Sequence, residues 1–151
     1  MKGVATRYPA FDQTLGRPID LEGRINACRT RHQGADPLAF ESRELLSLTA
    51  YVARQSKGLS ISVADDEATL PFVAAGRAIF DRRQGQLNLS CAQCHDDNWG
   101  QKLGGATIPE GHPTGYPLNR LQRQGLGSLQ RRRLRICLVG MRCRMPMARR
   151  K

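Results

Sequence analysis

Aromatic side chains are scarce. One Trp, three Tyr and four Phe make up 5% of the 151 residues, so a core built from side chains alone is thin. No apolar run approaches the roughly 18 residues of a bilayer-crossing helix, and the sequence therefore offers no membrane span. Acids are missing from the last quarter. Residues 1–116 hold 13 Lys/Arg and 13 Asp/Glu, whereas residues 117–151 hold 11 Lys/Arg and no acid, so the net charge of +11 lies wholly in the C-terminal segment. A basic patch of this kind suits an anionic substrate, an anionic partner or a solvated tail. With 40% apolar and 25% charged residues, the composition is that of a folded chain, long enough for one ordinary domain or two small ones. The five cysteines, Cys28, Cys91, Cys94, Cys137 and Cys143, are odd in number and cannot all pair within one chain.

The opening through about Ala35 is rich in Gly, Pro, Asp and Arg and reads mainly as loop. Apolar residues at three- and four-residue steps from Leu38 to Val52 predict an amphipathic helix over about 42–55, stopped by Lys57-Gly58. Gly58 to Asp66 reads as a linker. A second helix is expected over about 67–84, with Pro71 in its first turn and Val73, Ala74, Gly76, Ala78, Ile79 and Phe80 supplying its packing surface. Gly76 and Phe80 are four apart on one face, where a residue without a side chain lets another body come close. Asp97 to Gly127 reads as a long loop, and a last helix is expected from about Ser128 to Gly140. The order is helix, helix, motif, loop, helix, without convincing strand pairs.

The motif is Cys91-Ala92-Gln93-Cys94-His95, a haem c attachment pattern. Two thiols three residues apart can add to the two vinyl groups of one porphyrin, and the adjacent His can then reach the iron. A macrocycle would also fill a centre that the side chains leave empty. A zinc site or a redox dithiol are the competing readings of a CxxC pair. Zinc needs two more ligands, and Cys137 and Cys143 are not spaced as the usual short pair. For the far side of the iron, Met141, Met145, Met147 and His112 are available, as in a simple electron carrier. Cys137 is a further choice. Arg133 lies four residues before it on the same helical face, and neighbouring guanidinium groups favour the thiolate. A structural Cys beside a solvated arginine face is the plainer reading of that segment.

Three stretches together resemble SoxA, the larger cytochrome subunit of the thiosulfate-oxidising SoxAX complex. The first is Met1-Lys2-Gly3-Val4-Ala5-Thr6-Arg7-Tyr8-Pro9 with Leu21-Glu22-Gly23-Arg24-Ile25-Asn26-Ala27-Cys28-Arg29. The second is Gly85-Gln86-Leu87-Asn88-Leu89-Ser90-Cys91 through His95, with Asn98-Trp99-Gly100. The third is Gly111-His112-Pro113-Thr114-Gly115-Tyr116-Pro117 with Gly125-Leu126-Gly127-Ser128-Leu129-Gln130, continuing to Cys137. The resemblance spans about residues 1–142.

It implies a mainly α fold of cytochrome c-like domains with long loops around a covalent haem. Residues 1–62 would be a partial N-terminal cytochrome c-like domain without its haem motif, 63–142 an incomplete C-terminal haem c domain, and 143–151 an aberrant basic tail. It implies one haem c held by Cys91 and Cys94, with His95 and Cys137 as axial iron ligands, and Cys137 and Arg133 as catalytic residues. The implied activity is L-cysteine S-thiosulfotransferase, which links thiosulfate oxidatively to a cysteine of a SoxYZ-like carrier. The implied partners are that carrier and a SoxX-like cytochrome, and the implied compartment is the periplasm.

Two departures from the family accompany this. No apolar segment follows Met1-Lys2, so the opening does not read as the export signal that haem c attachment calls for, and by the family pattern both that signal and a partner for Cys28 are expected upstream. Similarity stops near Arg142, which implies a truncation or a change of reading frame there, and Cys143 and the terminal methionines then carry no family role. A simple electron-transfer cytochrome is the alternative function. Nucleic-acid binding is disfavoured, because the arginines come without an aromatic stacking platform.

Overall fold

A computed structural model describes residues 1–111, 116–120 and 124–135. Short polar side chains set where its helices begin. Asp20 accepts the Gly23 N–H at 2.8 Å and opens α1, Leu21–His32. Ser42 accepts the Leu45 N–H at 3.2 Å and opens α2, Arg43–Arg54. Asp66 accepts the Thr69 N–H at 2.9 Å in the turn that leads into α3, Leu70–Asp81, where Pro71 sits second. Each cap satisfies a backbone donor that has no partner inside its helix. Next come the short helix α4, Cys91–His95, and α5, Leu129–Arg135.

The chain also forms three antiparallel hairpins: β1 (Ala10–Asp12) with β2 (Arg17–Ile19), β3 (Lys102–Leu103) with β4 (Ala106–Thr107), and β5 (Leu118–Arg120) with β6 (Gly125–Gly127). The strands are two or three residues long, too short to print an alternation on the sequence. That corrects the expectation of a fold without strand pairs. The opening loop is corrected too: it holds a 3-10 turn at Ala5–Arg7, the first hairpin and all of α1. α1 lacks an apolar stripe and buries only Ala27, so periodicity is silent there. Its marks are the Asp20 cap, Glu22 in the first turn and Arg29, Arg31 and His32 in the last, an arrangement that suits the helix dipole.

The residues group into two units, Met1–Ala74 with Gly115–Ser128, and Ala75–Thr114 with the chain from Leu129 onward. In the first, α1 packs on α2, and α2 packs on β6 and the N-terminal turn. The buried apolar side chains are Ile19, Ala27, Leu45, Leu46 and Val52. On α2 these join Thr49, whose hydroxyl donates to the Leu45 carbonyl at 2.8 Å. Leu48 and Tyr51 fall beyond the edge of that stripe and stay exposed. Asn26 joins α1 to the connection before α2, exchanging two hydrogen bonds with the backbone of Leu38 at 2.9 and 3.0 Å. Phe11 and Phe72 meet at a ring separation of 6.2 Å.

In the second unit, Ser90 is the one buried side chain among the described residues. The surface expected to pack on α3 is open: Val73 is 61% and Ile79 53% exposed, nothing lies within 4 Å of where a Gly76 Cβ would be, and Phe80 alone is partly covered. No helix among the described residues is long and apolar enough to cross a membrane.

The first hairpin is fastened by one carboxylate. Asp12, 4% exposed, accepts the Thr14 and Leu15 N–H groups across its turn and both arms of Arg31 at 2.8 and 2.9 Å. The Arg31 guanidinium leads the interactions that hold its pKa at about 2, below the ordinary 3.8. Glu22 behaves oppositely: burial, then the charges of Asp20 and Glu41, push it up from 4.5 to about 7. The Asp12 contribution to stability is complete above about pH 4 and is lost as pH falls toward 2, and Arg31→Met should shrink that acid limb, leaving only the part due to the Thr14 and Leu15 N–H groups. Charging Glu22 lowers stability as pH rises from 4.5 to 7, so Glu22→Gln should stabilise the chain at pH 8 and leave it unchanged at pH 4. Thermal unfolding followed by circular dichroism across pH 2–8 measures both.

Candidate haem c site

The Cys91–His95 motif forms a helix because Ser90 makes it one. The Ser90 hydroxyl accepts the Gln93 N–H at 3.3 Å, and the Gln93 side-chain oxygen accepts the Ser90 N–H at 2.9 Å, a reciprocal capping box. Gln93 is one of the two residues between the cysteines, so the spacer itself helps start the turn. At the other end the Asp96 N–H donates to the Ala92 carbonyl at 2.8 Å, and the Asn98 side chain donates to the Gln93 carbonyl at 2.6 Å. Being three apart on one helix, Cys91 and Cys94 share a face. Both are partly exposed, and no disulfide forms among the described cysteines, Cys28, Cys91 and Cys94.

Two turns of chain place this helix. After α3 the backbone folds back on itself, the Gln84 N–H donating to the Leu89 carbonyl at 3.1 Å, which delivers Ser90 to its capping position. After α4 the β3–β4 hairpin returns the chain, closed by Gly100 N–H to the Ile108 carbonyl at 2.8 Å and Ile108 N–H to the Gln101 carbonyl at 2.9 Å. The residue after Ile108 is Pro109, whose carbonyl lies 2.7 Å from His95 Nδ1. A carbonyl only accepts, so Nδ1 carries a proton, and in the neutral imidazole that leaves Nε2 as the nitrogen a metal can use. On the α3 side, Arg77 bonds Asp81 at 2.8 Å and Asp96 at 3.3 Å, and its guanidinium carbon lies 5.5 Å from the centre of the Phe80 ring.

These residues fit haem c. Two thiols share a face beside a histidine with a fixed tautomer, and the unit that carries them buries no apolar side chain among its described residues, as a polypeptide waiting for a large apolar body would. The Arg131 and Arg133 positions lie in α5. Cys137, Cys143, His112, Met141, Met145 and Met147 lie outside the described residues, as does the expected extension of the last helix beyond Arg135.

Sequence reasoning passed over Ser90, Pro109, Gly111 and Arg77. Ser90-x-x-Gln93 is itself a capping-box signature and could have been read. Pro109 and Arg77 are brought to the motif from 14 and 19 residues away and carry no local mark.

A CxxCH helix with its histidine so held, in a largely helical chain with small hairpins, defines the class: a c-type cytochrome. The family model described as SoxA/TsdA, cytochrome c domain, matches residues 1–61. The L-cysteine S-thiosulfotransferase subunit SoxA of Pseudaminobacter salicylatoxidans is 34% identical over 149 residues, covering 98% of this chain and 52% of that protein. The subunit of the same name from Allochromatium vinosum is 35% identical over 134 residues, covering 85% of this chain and 47% of its own length. Among solved structures, SoxXA from P. pantotrophus matches with a TM-score of 0.77 at 30% identity, over 87% of this chain and 50% of that one. The chain belongs to the SoxA family and spans about half the length of the curated relatives it matches.

Ser90→Ala removes one cap bond and leaves the Gln93 N–H without its side-chain partner, at a cost of about 1 kcal/mol. The expected outcome is a lower melting temperature and a smaller yield of covalent haem, measured by calorimetry and by the pyridine haemochrome spectrum. An unchanged yield would mean that α4 forms without its cap.

Proposed function

We propose that this chain supplies the haem c centre of a SoxA-type L-cysteine S-thiosulfotransferase, working with a SoxX-like cytochrome and a SoxYZ-like carrier in the periplasm. In this reading residues 63–142 carry the haem chemistry, residues 1–62 are a cytochrome c-like segment without a haem motif, and residues 143–151 take no part. The observation that carries the proposal is the Pro109 carbonyl on His95 Nδ1, which leaves Nε2 for iron beside the two thiols of Cys91 and Cys94. Cys91 and Cys94 would hold one haem c through thioether bonds, and His95 and Cys137 would be the ligands of its iron.

Thiosulfate is a dianion, and Arg133 binds and orients it through charge-assisted hydrogen bonds. The Cys137 thiol loses its proton and its sulfur bonds to the terminal sulfur of thiosulfate, a step that releases two electrons. Haem c, when bound, supplies the one-electron acceptor through which they leave in turn. The thiolate of the carrier cysteine then attacks the thiosulfate sulfur, and Cys137 departs as thiolate, an exchange without net redox change. The arginines of residues 117–142 give substrate and carrier a positive field to approach.

The decisive experiment expresses the chain with an export signal and the haem-attachment machinery, as wild type and as Cys137→Ala. A low-spin thiolate signal in electron paramagnetic resonance that disappears in the variant supports the proposal. A spectrum unchanged by the substitution removes Cys137 from the iron and favours a simple electron carrier. In the complex assembled with its partners, Arg133→Gln should raise the KM for thiosulfate roughly tenfold or more, from the loss of about 2 kcal/mol of charge-assisted bonding.

A further inference from the structure

Gly111 sits where a side chain would not fit comfortably. A Cβ built there would lie 3.4 Å from His95 Cβ, 3.6 Å from His95 Cγ and 3.4 Å from Phe80 Cε2. Its φ is outside the left-handed region, so the position uses the absence of a side chain and makes no demand on backbone freedom. Two residues earlier is Pro109, whose carbonyl takes the His95 proton at 2.7 Å. Phe80, near the end of α3, and the base of the His95 ring therefore flank the chain at Gly111.

We propose that Gly111 and Phe80 are positioning residues that hold the Pro109 carbonyl on His95 Nδ1 and so set how strongly His95 donates to iron. This rests on the proposed ligation by His95. A hydrogen bond accepted from Nδ1 makes the imidazole a stronger donor, and a stronger donor favours ferric over ferrous iron. A carbonyl kept at 2.7 Å by packing gives a lower reduction potential than one free to drift away. The packing, rather than the ion pairs around it, carries this. The Arg77 side chain is 63% exposed, and its pairs with Asp81 and Asp96 are of the surface kind worth ~0–1 kcal/mol.

The test uses the full chain matured with covalent haem, as wild type, Gly111→Ala, Gly111→Val, Phe80→Tyr, Phe80→Leu and Arg77→Gln. Haem content comes from the pyridine haemochrome, and the midpoint potential from a spectroscopic titration. Gly111→Val should shift the ferric/ferrous equilibrium about tenfold toward ferrous, ~59 mV upward for one electron, at normal haem content. Gly111→Ala should shift it less, since a 3.4 Å contact yields by a few tenths of an ångström. Phe80→Leu should shift it in the same direction, and Phe80→Tyr and Arg77→Gln should stay with wild type. If Gly111→Val does not mature, Gly111→Ala and Phe80→Leu decide the matter. Normal haem content with an unchanged potential in the Gly111 and Phe80→Leu variants would overturn the positioning role while leaving haem binding intact. Wild type without covalent haem would overturn both.

Discussion

The stretch from Ala75 to Gly111 has to hold its shape while burying almost nothing. Fixing its backbone costs roughly 1–2 kcal/mol per residue, and the usual opposing term, removal of apolar side chains from water, is nearly missing there. Caps, turns and one histidine–carbonyl bond keep the order that exists: Ser90 with Gln93, Asn98 on Gln93, Pro109 on His95. Such bonds give directions more than stability, each contributing on the order of 1 kcal/mol net. A large apolar body attached at two points on α4 would supply the missing term, so a haem held there would be as much the core of this unit as its reactive centre.

The first unit meets the same shortage of aromatics in another way. Its apolar centre is small, and polar cross-links among elements far apart in sequence supplement it. Asp12 gathers a turn and a helix end around a single carboxylate, and Asn26 imitates a strand partner for Leu38. Both residues are polar and neither would enter a list of core positions drawn from hydropathy, although each fixes where its neighbours go.

That contrast explains how much could be read beforehand. α2 was legible because Leu45, Leu46 and Val52 repeat at helical spacing between a Ser cap and Lys57-Gly58, and α3 because Pro71 and a mostly apolar run mark it. α1 was not, since its signals are charges and a cap rather than a stripe, and the hairpins were not, since two or three residues cannot show a period of two. At the site, Cys91, Cys94 and His95 are adjacent in the chain and announce themselves. Their supports, Pro109, Gly111 and Phe80, are assembled by a hairpin and a turn, and the identity of those residues says nothing until the backbone has been folded. Cys137 and the Arg133 side chain rest on the family resemblance.

The β5–β6 hairpin belongs with α2, and the buried Ser128 that follows it donates its N–H to Glu41 at 2.9 Å, across 87 residues of chain. A polypeptide emerging from its N-terminus cannot close the first unit until residue 128 has appeared. The two motif thiols emerge well before that moment. Until then the opening segment waits for its last strand, so the closure of this unit is a long-range event that its own first 74 residues cannot complete.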